Sequence, residues 1–414
     1  MKEVTIIGSG VIGLCTAYYL NQQGASVTIL DQNNAEDENC SVGNAGLIVP
    51  SHFIPLAAPG VITKGLKWML NPTSPFYIKP RFNKDLIQWV WQFYKHSTAE
   101  HVFKSGQLLH DINRLSKELY EEIDGAGHFK FEFERNGLMM LYNTEKAGEE
   151  ELEIAHKAKS LGIKVESLTA HKVLEIQEIP LNVKGGVYYP DDAQLNPNVF
   201  MKKMKAHLKS KGVGFKWNTK VIGVVEEKNK IQKIKTNQGD LKVDNLVIAT
   251  GSWTSELATS LRLKIPIQAG KGYSFNINQG KENLKVPSVL CEAKIAVTPF
   301  GQDLRFAGTM GIQGLSLKKN NRRIDSIKKA IPKYFSSINM DAVNASEAWA
   351  GLRPCSPDGL PFIGKGKQDN TFIATGHAMM GMSLGPITGK LLTEMITDQK
   401  QSLNIDKLSP LRYS

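Results

Sequence analysis

Arg353 stands in GLRPCSPDGLPFIG, Tyr273 in GKGYSF, His52 in PSHF and His377 in ATGHAMMG. These are the side chains best suited to chemistry. A guanidinium grips a carboxylate through two parallel hydrogen bonds, and the prolines and glycines around Arg353 pin its loop. Tyr273 could donate a further hydrogen bond to the same anion, although a core tyrosine fits its strand nearly as well. His52 reads either as a pocket-lining group or as a satisfied loop histidine. His377 reads as a structural group in a turn of backbone amides rather than as a general base. Neither histidine has a partner at metal-ligand spacing. Cys15, Cys40, Cys291 and Cys355 form no CxxC, so neither a metal site nor a disulfide framework is expected.

A second signal lies near residue 10. EVTIIG is a short β-branched run, VIGLCTAYYLNQQG has helical spacing up to Gly24, and SVTILD is a second strand. The glycines of GxGxxG therefore fall at a strand-to-helix turn inside a βαβ unit, the context in which the motif cradles a dinucleotide. Gly8 permits the tight turn and Gly10 lets a pyrophosphate approach the backbone. Gly13 lets helix and strand pack closely, and the helix N-terminus adds amide donors and positive potential. Asp31, closing the second strand, is placed to accept from a ribose. The motif alone does not separate NAD from FAD. The next stretch of chain does, because CSVGNAGLIVPSH is a loop of small residues suited to wrapping a second, bulky part of a cofactor instead of another βα unit.

Four segments in order, GSGVIG, SVGNAG, LVIATGSW and GLRPCSPDGLPFIG followed by IATGHAMMGMSLGPITG, resemble the D-amino-acid oxidase and dehydrogenase superfamily over nearly the whole chain. The last is the most specific. That resemblance implies an α/β fold: a Rossmann-like FAD-binding domain of the glutathione-reductase type, with a discontinuous α+β substrate domain on a mostly antiparallel sheet. The expected FAD domain comprises 1–53, 146–162, 195–258 and 345–414. The expected substrate domain comprises 54–145, 163–194 and 259–344.

The resemblance also implies where FAD is held. The first turn and helix supply Gly8, Gly10, Val11, Ile12 and Gly13, and the second strand supplies Asp31 and Gln32. Asp31 departs from the glutamate more common in the family, so the shorter acid must reach further or use a water. The wrapping loop supplies Ser41, Asn44, Ala45, Gly46 and Leu47. Val221 is expected near the adenine by its backbone, and Thr250 and Gly251 near the pyrophosphate, with Trp253 beside them. Gly376, Gly381, Met382 and Ser383 belong to the last turn, where a helix beginning near Met382 would stabilise the anionic reduced ring through its dipole. Some relatives attach flavin to a cysteine shortly before the PDG segment. Gly351 holds that position and Cys355 is displaced from it, so the FAD is expected to be non-covalent.

On this reading Arg353, Tyr273 and His52 are the catalytic set, since amine oxidation by flavin needs an anion clamp, a dry pocket and a deprotonated amine. The expected activity is oxidative deamination of D-amino acids to 2-oxo acids and ammonia, with electrons passed to a quinone-type acceptor. D-proline or 4-hydroxy-D-proline oxidation, and a glycine- or sarcosine-type amine oxidase using oxygen, are the alternatives. Met379 and Met380, one of which replaces an arginine of a glycine-oxidising relative, favour an apolar substrate side chain.

The whole chain is consistent with this. With 414 residues and 41% hydrophobic composition it can bury a large core. No window reaches the 18 or so apolar residues of a spanning helix. Glu3, Gly8, Ser9, Gly10 and Gly13 interrupt the first apolar run, which disfavours a secretory signal. A reducing cytoplasm is expected. Between residues 52 and 99, Lys64, Lys67, Lys79, Arg81, Lys84 and Lys95 face one acid, Asp85, and Trp68, Trp89 and Trp91 lie among them. Leu86, Val90 and Phe93 form one stripe there. Residues 60–97 thus suit peripheral contact with the inner face of a membrane, or a helix packed over the substrate domain. A net charge of +11 leaves open a tRNA-modifying flavoprotein, but this segment is too rich in Leu, Ile and Pro for an RNA groove, so no nucleic acid is expected.

Overall fold

A computed structural model describes the chain except residues 38, 61–73, 279, 281, 282, 339, 341, 342 and 344. Lys64, Lys67 and Trp68 of the basic aromatic segment therefore lie outside the described residues.

The first strand, Glu3–Ile7, lies at the centre of a sheet whose order is Phe362–Lys365, Thr371–Thr375, Asn245–Ile248, Glu3–Ile7, Ser26–Leu30 and Gly214–Lys216. All neighbours are parallel except the first pair. Strands of this kind are covered on both faces, which explains the near-continuous apolar runs NLVI and EVTII. The helix Val11–Gln22 is buried along most of its circumference, sandwiched between this sheet and the C-terminal helix Gly385–Ile396. Gly389 allows that closeness: a Cβ there would fall 2.5 Å from the Cys15 carbonyl carbon.

The C-terminal helix begins at Gly385 rather than near Met382. Pro386, which lacks an N–H and has a fixed φ, suits its first turn, and residues 381–384 form a turn ahead of it. The segment VGFKWNTKVIGVVEE forms two strands in two sheets. Gly214–Lys216 edges the parallel sheet and Val221–Glu227 starts a three-stranded antiparallel one, with Asn218 at φ +55° in the turn between them.

A second, larger sheet is mostly antiparallel and runs Trp349–Cys355, Gln268–Asn278, Asp303–Ile312, Ile295–Phe300, Ser288–Leu290, Leu138–Tyr142, Gly185–Tyr189 and Glu166–Thr169, with Phe76–Ile78 beside Asp303–Ile312. The mixed architecture is the one expected. The helix Ala99–Gly125, assigned by sequence to the substrate domain, packs on the C-terminal helix, whereas Glu145–Ser160, assigned to the FAD domain, packs on the larger sheet.

Candidate active site

The two sheets meet around a cavity of about 990 Å³. Its floor is formed where parallel strands end: Ile7, Leu30, Ala249 and Ala374 all line it. A ligand site outside the carboxyl ends of such strands is the general rule for open α/β sheets.

The three glycines play separate parts. Gly8 has φ +108°, and a Cβ on it would lie 2.4 Å from the Ala249 carbonyl oxygen. A Cβ on Gly13 would lie 1.9 Å from the Gly8 carbonyl oxygen, so Gly13 sits behind the cavity wall. Gly10 is different: its nearest neighbour would be Ser41 Oγ at 3.5 Å, and it lines open cavity. Nothing in the protein forbids a side chain at Gly10. The space in front of it is what glycine keeps free, and a pyrophosphate against the amides of the adjoining helix fits that space. Among those amides, Val11 N–H donates to Ser41 Oγ at 3.0 Å, which ties the wrapping loop to the turn.

Asp31 lines the cavity with its carboxylate already engaged. Oδ2 accepts from Ser9 N–H at 2.8 Å and Ser9 Oγ at 2.6 Å, and Oδ1 accepts from Asn33 N–H at 3.0 Å. The remaining capacity of Oδ1 is what a ribose could use. The wrapping loop is held from the larger sheet, because Arg305 Nη1 donates to Val42 O and Asn44 O at 3.1 and 2.8 Å, and Ser274 Oγ to Gly43 O at 2.9 Å.

Of the residues expected at the cofactor, Val11, Ile12, Gln32, Ser41, Asn44, Ala45, Leu47, Val221, Thr250, Gly251, Trp253, Gly381 and Met382 line this cavity with those already named. Gly13, Gly46, Gly376 and Ser383 do not. Gly46 and Gly376 adopt φ +76° and +78° to turn the chain against Leu195 and Phe362. Ser383 Oγ joins the loop to the long helix instead, accepting from Val49 N–H at 3.1 Å and donating to Asn113 Oδ1 at 2.7 Å.

Arg353 lies on the cavity wall. Its Nη1 donates to the Thr309 carbonyl at 2.7 Å, and among the described residues no carboxylate lies within ion-pair distance. The titratable groups that interact with it are the thiols of Cys40 and Cys355, which burial pushes up to about 11 and about 12, and the like-charged Arg323. Both thiols are neutral. Burial also lowers the guanidinium's own pKa, without threatening a group that stays protonated in proteins.

The guanidinium rests over Gly272, where a Cβ would come within 2.4 Å of its Cζ. Gly272, not Tyr273, is therefore the residue of GKGYSF that faces Arg353. Side chains alternate along a strand, so Tyr273 points into the other core. It is fully buried there with Phe275 and Phe306, and its hydroxyl accepts from Asn320 N–H at 3.2 Å. The expectation that it would join the carboxylate clamp is corrected.

Thr309 went unnoticed in the sequence. It sits at a bulge where Gly272 faces two residues of the strand Asp303–Ile312, at φ +60°, a conformation unfavourable for a β-branched residue. Bulges re-aim groups beside active sites, and this one carries the carbonyl that holds Arg353. No local pattern in GTMG marks it.

His52 lines the cavity, and burial with Lys294 nearby lowers it to about 4. His377 is buried with Nε2 3.0 Å from Thr388 Oγ1, and burial lowers it to about 3. It ties the last turn to the C-terminal helix, the structural role expected. Met379 and Met380 line the cavity.

The helix Lys84–His96 has two apolar faces. Leu86, Trp89 and Phe93 are buried, and Trp89 Nε1 donates to Cys355 O at 2.9 Å. Val90, read as part of that stripe, instead joins the exposed Ile87, Trp91 and Tyr94. No helix among the described residues is long and apolar enough to cross a membrane.

A family model described as DAO, FAD dependent oxidoreductase, matches residues 3–395. The D-amino acid dehydrogenase of Granulibacter bethesdensis is 29% identical over 420 residues, covering 100% of both chains. That of Vibrio atlanticus is 29% identical over 421 residues, covering 99% of this chain and 100% of its own. Among solved structures, glycine oxidase from Geobacillus kaustophilus superposes with a TM-score of 0.76 at 18% identity over 100% of both chains. L-proline dehydrogenase from P. horikoshii superposes with a TM-score of 0.68 at 19% identity over 100% of this chain and 97% of its own.

Proposed function

The chain belongs to the DAO family of FAD-dependent oxidoreductases, and from that premise we propose that it is a D-amino acid dehydrogenase, with 1–53 and 195–258 at the centre of the FAD-binding part. The observation that carries the proposal is Arg353: a half-buried guanidinium on the cavity wall with no carboxylate partner among the described residues. A charge partly withdrawn from water and left without an opposite charge is costly, and a bound substrate carboxylate removes that cost. The two full-length relatives named D-amino acid dehydrogenase support the substrate class.

Gly10 and the amides after it would face the FAD pyrophosphate, Asp31 its ribose, and Met382 with Gly381 the ring. When bound, FAD accepts a hydride from the substrate α-carbon. The chain's own residues do the rest. Arg353 fixes the carboxylate and thereby the α-carbon, Met379 and Met380 give the side chain an apolar wall, and Trp349 closes the strand face beside Gly351. Water then hydrolyses the released imino acid to a 2-oxo acid and ammonia. Non-covalent binding is supported by Gly351, whose added Cβ would meet the Trp349 ring at 1.9 Å, leaving no room for a thiol there.

The exposed face of Lys84–His96 supports contact with a membrane surface and a quinone-type acceptor within it. The test is anaerobic flavin bleaching with D-alanine, D-methionine, D-phenylalanine, D-proline, 4-hydroxy-D-proline, glycine and sarcosine, and then reoxidation with a soluble quinone or with air. Bleaching by primary D-amino acids and reoxidation by quinone without stoichiometric peroxide is the expected result. Bleaching by none sinks the proposal.

A further inference from the structure

Asp192, just past the strand Gly185–Tyr189, is 1% exposed, and neither the carboxylate clamp nor the cofactor cradle uses it. Its Oδ1 accepts from Ser51 N–H at 3.0 Å and its Oδ2 from the Ser51 hydroxyl. Among the described residues Ser51 supplies every hydrogen bond that this carboxylate accepts, and no cation pairs with it. Ser51 Oγ lies 3.4 Å from His52 Nδ1, and both residues line the cavity that holds Arg353. A chain of polar groups thus leads from the chamber to a buried acid. An asparagine would tie the same loop at lower cost, since burying a carboxylate without a cation is unfavourable. Titratable groups placed so at a cleft are candidates for proton transfer.

We propose that Asp192, Ser51 and His52 form a proton relay that takes the ammonium proton of the bound amino acid before its α-carbon is oxidised. This rests on the reading of the protein as an amino-acid dehydrogenase. The substrate N–H bond breaks and its electron pair stays on nitrogen as the lone pair. The proton bonds to His52 Nε2, the Nδ1 proton passes to Ser51 Oγ, and the hydroxyl proton passes to Asp192 Oδ2, which becomes a neutral acid. His52 is the catalytic residue of the three, and Ser51 and Asp192 act through it.

The electrostatics agree with that direction. Burial, with Lys294 nearby, holds His52 at about 4, so the imidazole is neutral when substrate binds. Burial, opposed by the Ser51 hydrogen bonds, raises Asp192 to about 7. Within the relay the proton therefore moves from the weaker base, His52, to the stronger, Asp192. The groups facing the relay are Lys294 and Glu151, 3.8 Å apart, Tyr189, Asp191 and, on the long helix, Lys117 and His110, whose Nδ1 lies 3.0 Å from Pro50 O. Lys117 favours the charged form of Asp192 and Asp191 disfavours it.

The experiment tracks reduction of the FAD-loaded enzyme in an anaerobic stopped flow, from pH 5 to 9, with the fastest D-amino acid of the panel. In the wild type the limiting rate falls as the pH drops through about 7, where Asp192 takes up a proton and can no longer accept one. Asp192→Asn and Ser51→Ala should each lower the plateau by ~10²-fold, the scale of general base catalysis, and remove that limb, with the apparent substrate Kd little changed. Ser51→Thr, which keeps the hydroxyl, should restore both. If Asp192→Asn fails to hold FAD, the serine pair decides. Unchanged rates and an unchanged limb in these variants, or a change in Kd alone, overturn the relay while leaving the enzyme a D-amino acid dehydrogenase. A wild-type flavin that no amino acid bleaches overturns the functional reading itself, and the relay with it.

Discussion

Arg353 carries a charge that no carboxylate among the described residues cancels, and Gly272 beneath it leaves room for the guanidinium to lie flat on the strand. Truncating one partner of a buried, hydrogen-bonded charge pair costs about 2–5 kcal/mol. Arg353→Leu should therefore raise KM for a D-amino acid by ~10²-fold or more in steady-state kinetics. Arg353→Lys should recover only part of the loss, because an ammonium offers no planar fork. Gly272→Ala tests the seat itself. The added Cβ would meet only the far end of a flexible side chain, so Tm should barely move while KM rises ~10-fold, the worth of about one good hydrogen bond to a charge. Equal KM in wild type and Gly272→Ala would remove Arg353 from the substrate. The sequence made Arg353 legible because its neighbours form a specific motif. It offered Tyr273 as a second donor or as a core residue, and only the pleat of the strand, which turns adjacent residues to opposite faces, decided for the core.

At the scale of elements, the strand-to-helix turn was legible because its glycines are spaced by the local strand-to-helix geometry, although Gly8 also packs on Ala249 and the turn is tied to Ser41. Gly8, Gly10 and Gly13 serve one another and the helix they start. Their roles separate by substitution. Gly13→Ala drives a methyl into the Gly8 carbonyl at 1.9 Å and should cost both Tm and FAD retention, with overpacking worth roughly 1–3 kcal/mol. Gly10→Ala meets nothing closer than 3.5 Å, so the apoprotein should keep its Tm while FAD affinity, read by flavin fluorescence on titration, falls at least ~10-fold. An apoprotein destabilised equally by both changes would contradict the assignment of the open space to pyrophosphate. The PDG segment was legible as a motif but not as a mechanism. Asp358 is held by Arg412 through Nε at 2.7 Å and Nη2 at 3.1 Å, and Arg412 stacks over Phe362 with 3.6 Å to the ring centroid. The acid anchors the strand that carries Arg353 to the chain's last residues and does not face the chamber.

Over the whole molecule, the helix Lys84–His96 has one face in the core and another at the surface. Trp89 touches the strand of Arg353, while Ile87, Trp91 and Tyr94 are exposed beside Lys84 and Lys95. Sequence periodicity offered an interfacial helix or a packed one. The structure gives it a packed face and a second apolar face left outside. Exposed apolar area of this kind marks interaction sites, and with lysines alongside it suits anionic lipid. Ile87→Glu with Trp91→Glu should lower co-sedimentation with phosphatidylglycerol vesicles several-fold and leave flavin bleaching in solution unchanged. Equal vesicle binding by the double variant would discard the membrane contact.

The sequence by itself determined the βαβ unit, the family motifs, the mixed α/β class and the candidacy of Arg353, because each rests on residues close in the chain whose spacing has few structural solutions. Tertiary structure alone decided which candidates share the chamber. It put Arg353 on Gly272 and against the Thr309 carbonyl, turned Tyr273 away, gave Ser383 to the long helix, and joined Ser51 to Asp192, 141 positions further along. Those outcomes depend on how distant segments meet, and in the strands of Arg353 and Tyr273 a one-residue change of register would have sent both side chains to the opposite face.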